Sequence, residues 1–455
     1  MASSAPAEAP GFGPRVLEET LRRLLHLEPS ASLPDLVVAY SGGADSTALL
    51  HALAAVRPPA RLRSLHVDHG LQPDSADWAQ HCRDQASVLG VDCRVLKANI
   101  AEAEIGRHGV EAAARHARYA LLAEAMRKGE CLVTAQHRED QLETILLQLL
   151  RGAGLPGLAA MAPATRFGPG FLTRPLLDRG RGELVSYLQR HGIRWIEDPA
   201  NRDLRYDRSF LRTEVLPLVR ERWPAADASG ARTARHLAEG AALLRQLAAA
   251  DLAACDAGEG RLDNDRLRRL PAARQRNALR HWLRSAGRAA PDARHLARLV
   301  EEVVGGGGRQ PRLHIGSALV RRYRNRLYLL DSEIPAPPEG TYPLAVGRTL
   351  ELPERLGRLT LVPGAASGID PDLVARGCEV RFRDGGERLA PQSRRPSRRL
   401  KQLFQEAGVV PWMRGCVPLV YCGGRLVAVA DLWLAADCTR PGGARPSWEG
   451  RPALY

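Results

Sequence analysis

The chain has 455 residues, 45% apolar and 5% aromatic, enough for two to four domains with cores built mainly of Ala, Leu and Val. Its formal net charge of +14 favours a polyanionic partner, nucleic acid or a membrane surface, although a solvated basic face with no partner has the same composition. The eight cysteines form no C-x-x-C pair and no zinc-site spacing, which points to a reducing cytosol and away from a disulfide framework.

The first residues, MASSAPAEAPGFGP, lack the basic start and apolar stretch of a signal peptide, and an amphipathic helix is expected over 15–27. Short apolar runs then follow at Leu36–Tyr40, Leu62–Val67, Asp92–Leu96, Cys131–Thr134 and near Phe171–Leu177. Helical patterns fill the intervals at Ala48–Ala55, Ala76–Leu89, Val110–Arg127 and Gln141–Leu150. This alternation predicts an α/β domain, a parallel sheet with helices on both faces and a ligand at the carboxyl ends of the strands. After Trp223-Pro224 the pattern becomes Ala/Arg/Leu-rich and helical to about 305. GGGG at 305–308 reads as a hinge or turn, EIPAPPEG at 333–340 as a linker, and the short runs beyond 341 as a small α+β module. The expected division is a tail and leading helix over 1–30, an α/β domain over 31–223, a mainly helical domain over 224–335 and a basic domain over 341–455. The longest apolar run near the end, Leu426–Ala436, contains Asp431 and is too short and polar to span a bilayer.

The most informative segment joins the first strand to the next helix: Ser41, Gly42, Gly43, Ala44, Asp45, Ser46. Glycines let backbone approach a phosphate, and a helix N-terminus offers unpaired N–H groups and the positive end of a dipole. No Lys follows the glycines, so this is not a Walker loop. It matches SGGxDS, the PP-loop of enzymes that split ATP between its α and β phosphates. Asp45, itself anionic, would hold Mg2+ and not phosphate. The run His66-Val67-Asp68-His69-Gly70 ends the second strand; Asp68 could support the metal or the ribose, and His66 or His69 a phosphate, or the segment is simply a polar strand end.

Glu111-Ala112-Ala113-Ala114-Arg115, with Arg118-Tyr119, lies on a helix, and Thr134 to Thr144 leaves the fourth strand and enters another. Asp140 and Glu143 are three apart and share a helical face. Such a pair could bind a cationic amine and take its proton, or could be two solvated acids favouring the helix dipole.

With Arg151–Leu158, Arg174–Leu177, Glu197–Asn201 and the stretches at 379–434, these segments resemble the tRNA(Ile)-lysidine synthetases in their long, three-domain form. The resemblance covers 36–220 well and the middle only in character. Gln136 and Glu139 stand where the family usually has His and Asp, Ser209 where it has Asn, and Ala200 where it has Ser. It implies a cytoplasmic ligase that consumes ATP with Mg2+, adenylates the wobble cytidine of an isoleucine tRNA and lets free L-lysine displace AMP. Ser41 to Ser46 would hold the phosphates, Asp45 the metal, and Asp140 and Glu143 the lysine. Arg115 is a candidate for the lysine carboxylate or the activated base. A homodimer is compatible with it; a membrane partner is not expected.

The basic residues include only three lysines, Lys97, Lys128 and Lys401. Arg381, Arg383, Arg388, Arg394, Arg395, Arg398, Arg399 and Lys401 cluster in the C-terminal part. The resemblance implies a grip on the acceptor-stem side of tRNA; a solvated arginine-rich loop is the alternative. The runner-up function is a PP-loop tRNA thiolase, which needs a reactive or cluster-binding cysteine near the site. An amidotransferase or NAD synthetase, which would lack the Arg-rich tail, and a non-catalytic RNA-binding protein, which would not need the loop, come after it.

Overall fold

The computed structural model describes residues 11–28, 30–56, 62–70, 74–99, 109–199, 203–289, 291–308, 310–331, 335–393 and 395–454. Of the residues singled out above, Ala200, Asn201, Arg394 and the side chain of Glu111 lie outside the described residues. The chain divides into two compact units, Met1–Leu244 and Arg245–Tyr455.

The first unit is built on six strands: β1 (Leu36–Ala39), β2 (Leu62–Asp68), β3 (Asp92–Lys97), β4 (Cys131–Val133), β5 (Ala164–Phe167) and β6 (Gly170–Thr173), in the order β3-β2-β1-β4-β6-β5. All pair parallel except β5, which folds back antiparallel on β6 at the edge. That edge strand is absent from the sequence reading, because ATRF shows no apolar run: its residues are half-buried or exposed.

Helices α1 (Pro14–Leu24), α2 (Ala44–Val56), α3 (Ser75–Val88) and, further along, α6 (Arg181–Arg190) share a core on one face with Leu36 and Val38. Between the last two in sequence come α4 (Val110–Ala125) and α5 (Arg138–Leu150); Leu122 of α4 packs on the other face, against Val37, Leu65, Leu132 and Leu172. The central strands β1 and β4 are buried on both faces, which explains why LVVA and CLV are continuously apolar and do not alternate. The chain leaves β1 toward β2 and β3, then returns to the opposite side of β1 for β4. The gap at the carboxyl ends of β1 and β4 is thus a topological switch point, the place where such sheets bind ligands. Beyond α6 comes α7, in three segments: Asp207–Phe210, a π-helical turn Leu211–Val215, and Leu216–Arg222. Then follows α8 (Ala226–Ala254), within which the division into units falls.

The second unit has the expected helices, among them Ala272–Ser285 and Ala293–Arg298, and also a four-stranded antiparallel sheet that the reading of 224–335 as mainly helical lacks. Its strands are β7 (Leu262–Asp263), β8 (Arg312–Ile315), β9 (Ala318–Tyr323) and β10 (Arg326–Asp331). Leu313, Ile315, Val320 and Leu327 face its core. Arg324 and Asn325 both take positive φ (45° and 64°), the conformation of a tight two-residue hairpin turn, without the glycine that usually signals one. Farther on, two five-stranded antiparallel sheets and a two-stranded ribbon, Arg388–Leu389 with Arg398–Arg399, accompany the helix Leu400–Ala407.

One covalent feature goes beyond the sequence reading. Cys378 and Cys422 lie directly opposite on neighbouring antiparallel strands and form a disulfide with an S–S distance of 2.16 Å. The partners are 44 residues apart, so sequence spacing could not reveal the pairing. The other six cysteines are free thiols, so this is one bond and not a disulfide framework. No helix among the described residues is long and apolar enough to cross a membrane.

Candidate active site

The loop between β1 and α2 is held in shape by its own hydroxyls. Ser46 Oγ donates to the Gly43 carbonyl (3.1 Å) and lies 3.0 Å from Ser41 Oγ, while Thr47 Oγ1 donates to the Gly42 carbonyl (3.1 Å). Gly42 is required twice over: its φ is +81°, and a Cβ there would sit 2.6 Å from Ile196 Cδ1 and 3.0 Å from Cys82 Sγ. Ile196 closes the loop from outside, its N–H donating to the Gly42 carbonyl at 2.9 Å. With the serines occupied internally, the groups left to meet an anion are the first N–H groups of α2, which begins at Ala44.

Asp45, in the first turn of α2, faces out of this loop. Its Oδ2 is 3.6 Å from His137 Nε2, and its Oδ1, buried without a hydrogen bond, is 3.6 Å from Arg181 Nε. His137 precedes α5 at the carboxyl end of β4, and its N–H donates to Asp140 Oδ2 at 3.0 Å. Its ring, 3% exposed, lies 2.8 Å from Glu139 and 3.5 Å from Asp140. Burial pushes this imidazole down, but Asp45, Glu139 and Asp140 outweigh it and raise it to about 10, so the ring is cationic near neutral pH. Burial pushes Glu139 up, but His137 and the Arg181 N–H bring it down to about 2.

Asp140 and Glu143 do share a face, as their spacing predicts, but both are ion-paired, and only Asp140 keeps any exposed surface. Glu143 has no exposed surface; Arg212 grips it in a fork (2.7 and 2.9 Å), and Arg208 stands at 3.1 Å. Arg212 also reaches Asp140 at 3.1 Å, and Arg208 donates to Thr144 Oγ1 at 2.7 Å. Four carboxylates (Asp45, Glu139, Asp140, Glu143) thus face four cations (His137, Arg181, Arg208, Arg212) in one network. Arg212 sits on the π-helical turn of α7, a local widening common at functional sites. Sequence reasoning missed His137, Arg181, Arg208 and Arg212. Two arginines four apart opposite two acids three apart was the available signal, hidden by a separation of more than sixty residues.

The other candidates are spread around this centre. His66 is buried, with Nδ1 3.0 Å from the Tyr40 carbonyl and 3.3 Å from Cys82 Sγ; burial pushes it down, so it is a neutral interior group and not an exposed phosphate contact. Asp68 accepts from the Gly70 N–H, a turn bond, and Arg118 donates to His69 at 3.1 Å. Arg115 lies over the Tyr119 ring, 4.9 Å from its centroid. Gln141 is fixed by two bonds of 2.9 Å with the backbone of Met161.

In the second unit, Arg388 and Arg399 are register partners across the ribbon, a like-charge pairing that costs stability unless an anion compensates it. Arg381, Arg383 and Arg398 are paired with Glu379, Glu387 and Glu406. The described residues show no ion pair to Arg395, Arg399 or Lys401, all of them exposed.

A family model described as a PP-loop domain matches residues 16–219, one described as the TilS substrate binding domain matches 262–328, and one described as the TilS substrate C-terminal domain matches 378–448. The tRNA(Ile)-lysidine synthase of Alkalilimnicola ehrlichii is 44% identical over 437 residues, covering 94% of this chain and 96% of its own. That of Methylococcus capsulatus is 44% identical over 417 residues, covering 88% and 92%. Among solved structures, the U34-tRNA thiolase NcsA of Methanococcus maripaludis aligns with a TM-score of 0.41 at 15% identity, over 50% of this chain and 78% of that one.

Proposed function

The chain belongs to the tRNA(Ile)-lysidine synthase family, and we propose that it joins free L-lysine to carbon 2 of the wobble cytidine of an isoleucine tRNA. In the first step the cytidine O2 attacks the α-phosphorus of ATP and pyrophosphate leaves. In the second, the lysine ε-amine attacks carbon 2, loses a proton, and AMP departs with the oxygen. The observation that carries this reading is that Asp45 of the phosphate loop and Asp140 of α5 meet at the same nitrogen of His137, 3.6 and 3.5 Å away. Nucleotide loop and acid pair therefore serve one site, as a two-step transfer requires.

Within this site the N-terminus of α2 binds the phosphates. Mg2+ fits at Asp45, whose Oδ1 is buried without a hydrogen bond; no group of three or more candidate ligands exists among the described residues, so phosphate oxygens and water would complete the shell. Bound there, the ion would neutralise charge on the phosphates. Asp140, which keeps 14% of its side chain exposed, is the carboxylate we assign to the lysine amine. Glu143, fully buried, is a positioning residue that holds Arg212 against Asp140. Arg115 on α4 remains our candidate for the lysine carboxylate, and the Arg388–Arg399 ribbon for the tRNA backbone.

On the same reading, 31–223 is the catalytic domain, 224–335 the middle and 341–455 the tRNA-gripping domain, working in the cytoplasm. The thiolase alternative lacks a thiol suited to it. Cys82 touches the loop, but it has no exposed surface and burial pushes it up to about 12, where it is inert. The test is to incubate the protein with ATP, radiolabelled lysine and bulk tRNA. Label in RNA that depends on ATP supports the reading; ATP consumption with no label in RNA contradicts it.

A further inference from the structure

Beside the site, and not part of it, lies a cavity of about 670 Å3 within the first unit. Arg23 of α1, Arg138 of α5, Arg179, and Arg232 and Arg235 of α8 line it. Against these five arginines stand Asp178 and Glu183, leaving a formal charge of +3. Asp178 pairs with Arg235 at 3.3 Å and Glu183 with Arg179 at 3.4 Å. Among the described residues Arg232 bonds a hydroxyl, Ser229 Oγ at 3.1 Å, and neither it nor Arg23 has an ion pair.

Four features define what the cavity would take. Ala228, Ala231, Arg232 and Arg235 fall on one face of α8, so two methyl-sized side chains leave room beside two guanidinium groups. Guanidinium forks match phosphate oxygens in geometry as well as charge. Among the described residues no aromatic side chain lines the cavity, so a base has nothing to stack on there. The fourth is location: Arg138 lies between His137 and Glu139, and Glu183 is on the first turn of α6 just after Arg181, whose side chain faces Asp45. Cavity and catalytic network share the starts of α5 and α6.

We propose that this cavity holds a backbone phosphodiester of the RNA substrate and fixes the register of the strand that enters the catalytic site. The inference rests on the reading that the chain acts on RNA. It adds a contact in the first unit, separate from the basic ribbon of the second.

The test uses the full-length protein with Arg23→Ala/Arg232→Ala together, and Arg232→Lys as the charge-preserving control. RNA dissociation constants are measured across a salt series, with the thermal midpoint as the check on folding. The log–log salt slope of the double variant should flatten by roughly 0.7–0.9 for each phosphate that the protein no longer neutralises. KM for RNA should rise while kcat at saturating RNA stays level, and Arg232→Lys should keep the slope. An unchanged slope and KM overturns the proposal. So does loss of inorganic pyrophosphate binding in the double variant with the RNA slope intact, which would make this a free-anion site. A wild-type protein that adds no lysine to RNA, with the slope change still seen in the double variant, sinks the lysidine reading and leaves the cavity assignment standing.

Discussion

Asp45 is the residue on which the nucleotide half of the proposed site depends, and its surroundings say how to test it. Asp45→Ala should slow pyrophosphate release by at least ~10²-fold while leaving the dissociation constant for tRNA unchanged, because the loop and not the RNA contact is altered. Near-normal release would remove the loop from the account. Asp140 and Glu143 should now separate, although their sequence spacing makes them look like equal partners. Asp140→Asn keeps size and can still cap α5, so adenylation should survive, while lysine transfer falls by roughly 10²–10⁴-fold. Glu143→Gln leaves Arg208 and Arg212 without their buried anion. It should lower stability by roughly 1–3 kcal/mol and slow both steps together. Measuring AMP bound to tRNA alongside lysine incorporation distinguishes the two patterns; identical behaviour of the two variants would return Glu143 to the lysine site. The phosphate loop was legible because its chemistry is local, with strand, glycines, hydroxyls and helix start contiguous in the chain. The arginines that enclose the acid pair were not, because they belong to α7 and meet α5 only once the chain has folded back.

At the scale of elements, the order β3-β2-β1-β4 brings the phosphate loop and the start of α5 together at the switch point. One ion pair braces that sheet away from the site. Arg63 of β2 bonds Glu130, just before β4, at 2.9 Å and by a second, shorter bond, and Glu130 is nearly buried. Burial pushes the Glu130 carboxyl up, but Arg63 and the Arg127 N–H pull it below its ordinary 4.5. A carboxyl depressed in the folded state adds stability that is present above its unfolded value and is lost as pH falls through the folded one. Thermal midpoints should therefore drop from about pH 4.5 downward, and Glu130→Gln should flatten that acid limb; an identical limb in the variant would exclude the pair as its source. The ribbon in the second unit carries the opposite kind of stress. Removing the like-charge partner with Arg399→Ala should leave the free protein as stable or slightly more so, yet weaken tRNA binding and reduce the salt slope by roughly 0.7–0.9. A slope equal to that of wild type would mark the ribbon as a solvated face. The central parallel strands β1 and β4 were readable as continuous apolar runs. The β8–β10 meander was not, since arginines alternate with its apolar residues and its second turn is Arg324-Asn325, with no glycine.

At the scale of the molecule, the formal charge of +14 suggested a polyanion without locating it, and the cystine between Cys378 and Cys422 left no mark in sequence spacing. What the folded chain adds is placement: a nucleotide loop, an acid pair and their arginines in one network within the first unit, and a ribbon with Arg388 opposite Arg399 in the second, which we propose meets RNA. The central claim is that this one site first activates the RNA base and then receives lysine. The most direct measurement omits lysine altogether: full-length protein, ATP, Mg2+ and isoleucine tRNA, with pyrophosphate release and AMP attached to RNA followed together. The account predicts one pyrophosphate released for each AMP joined to tRNA, and discharge of that AMP when lysine is added. Pyrophosphate release that requires lysine, with AMP found on the amino acid and none on the RNA, would contradict it.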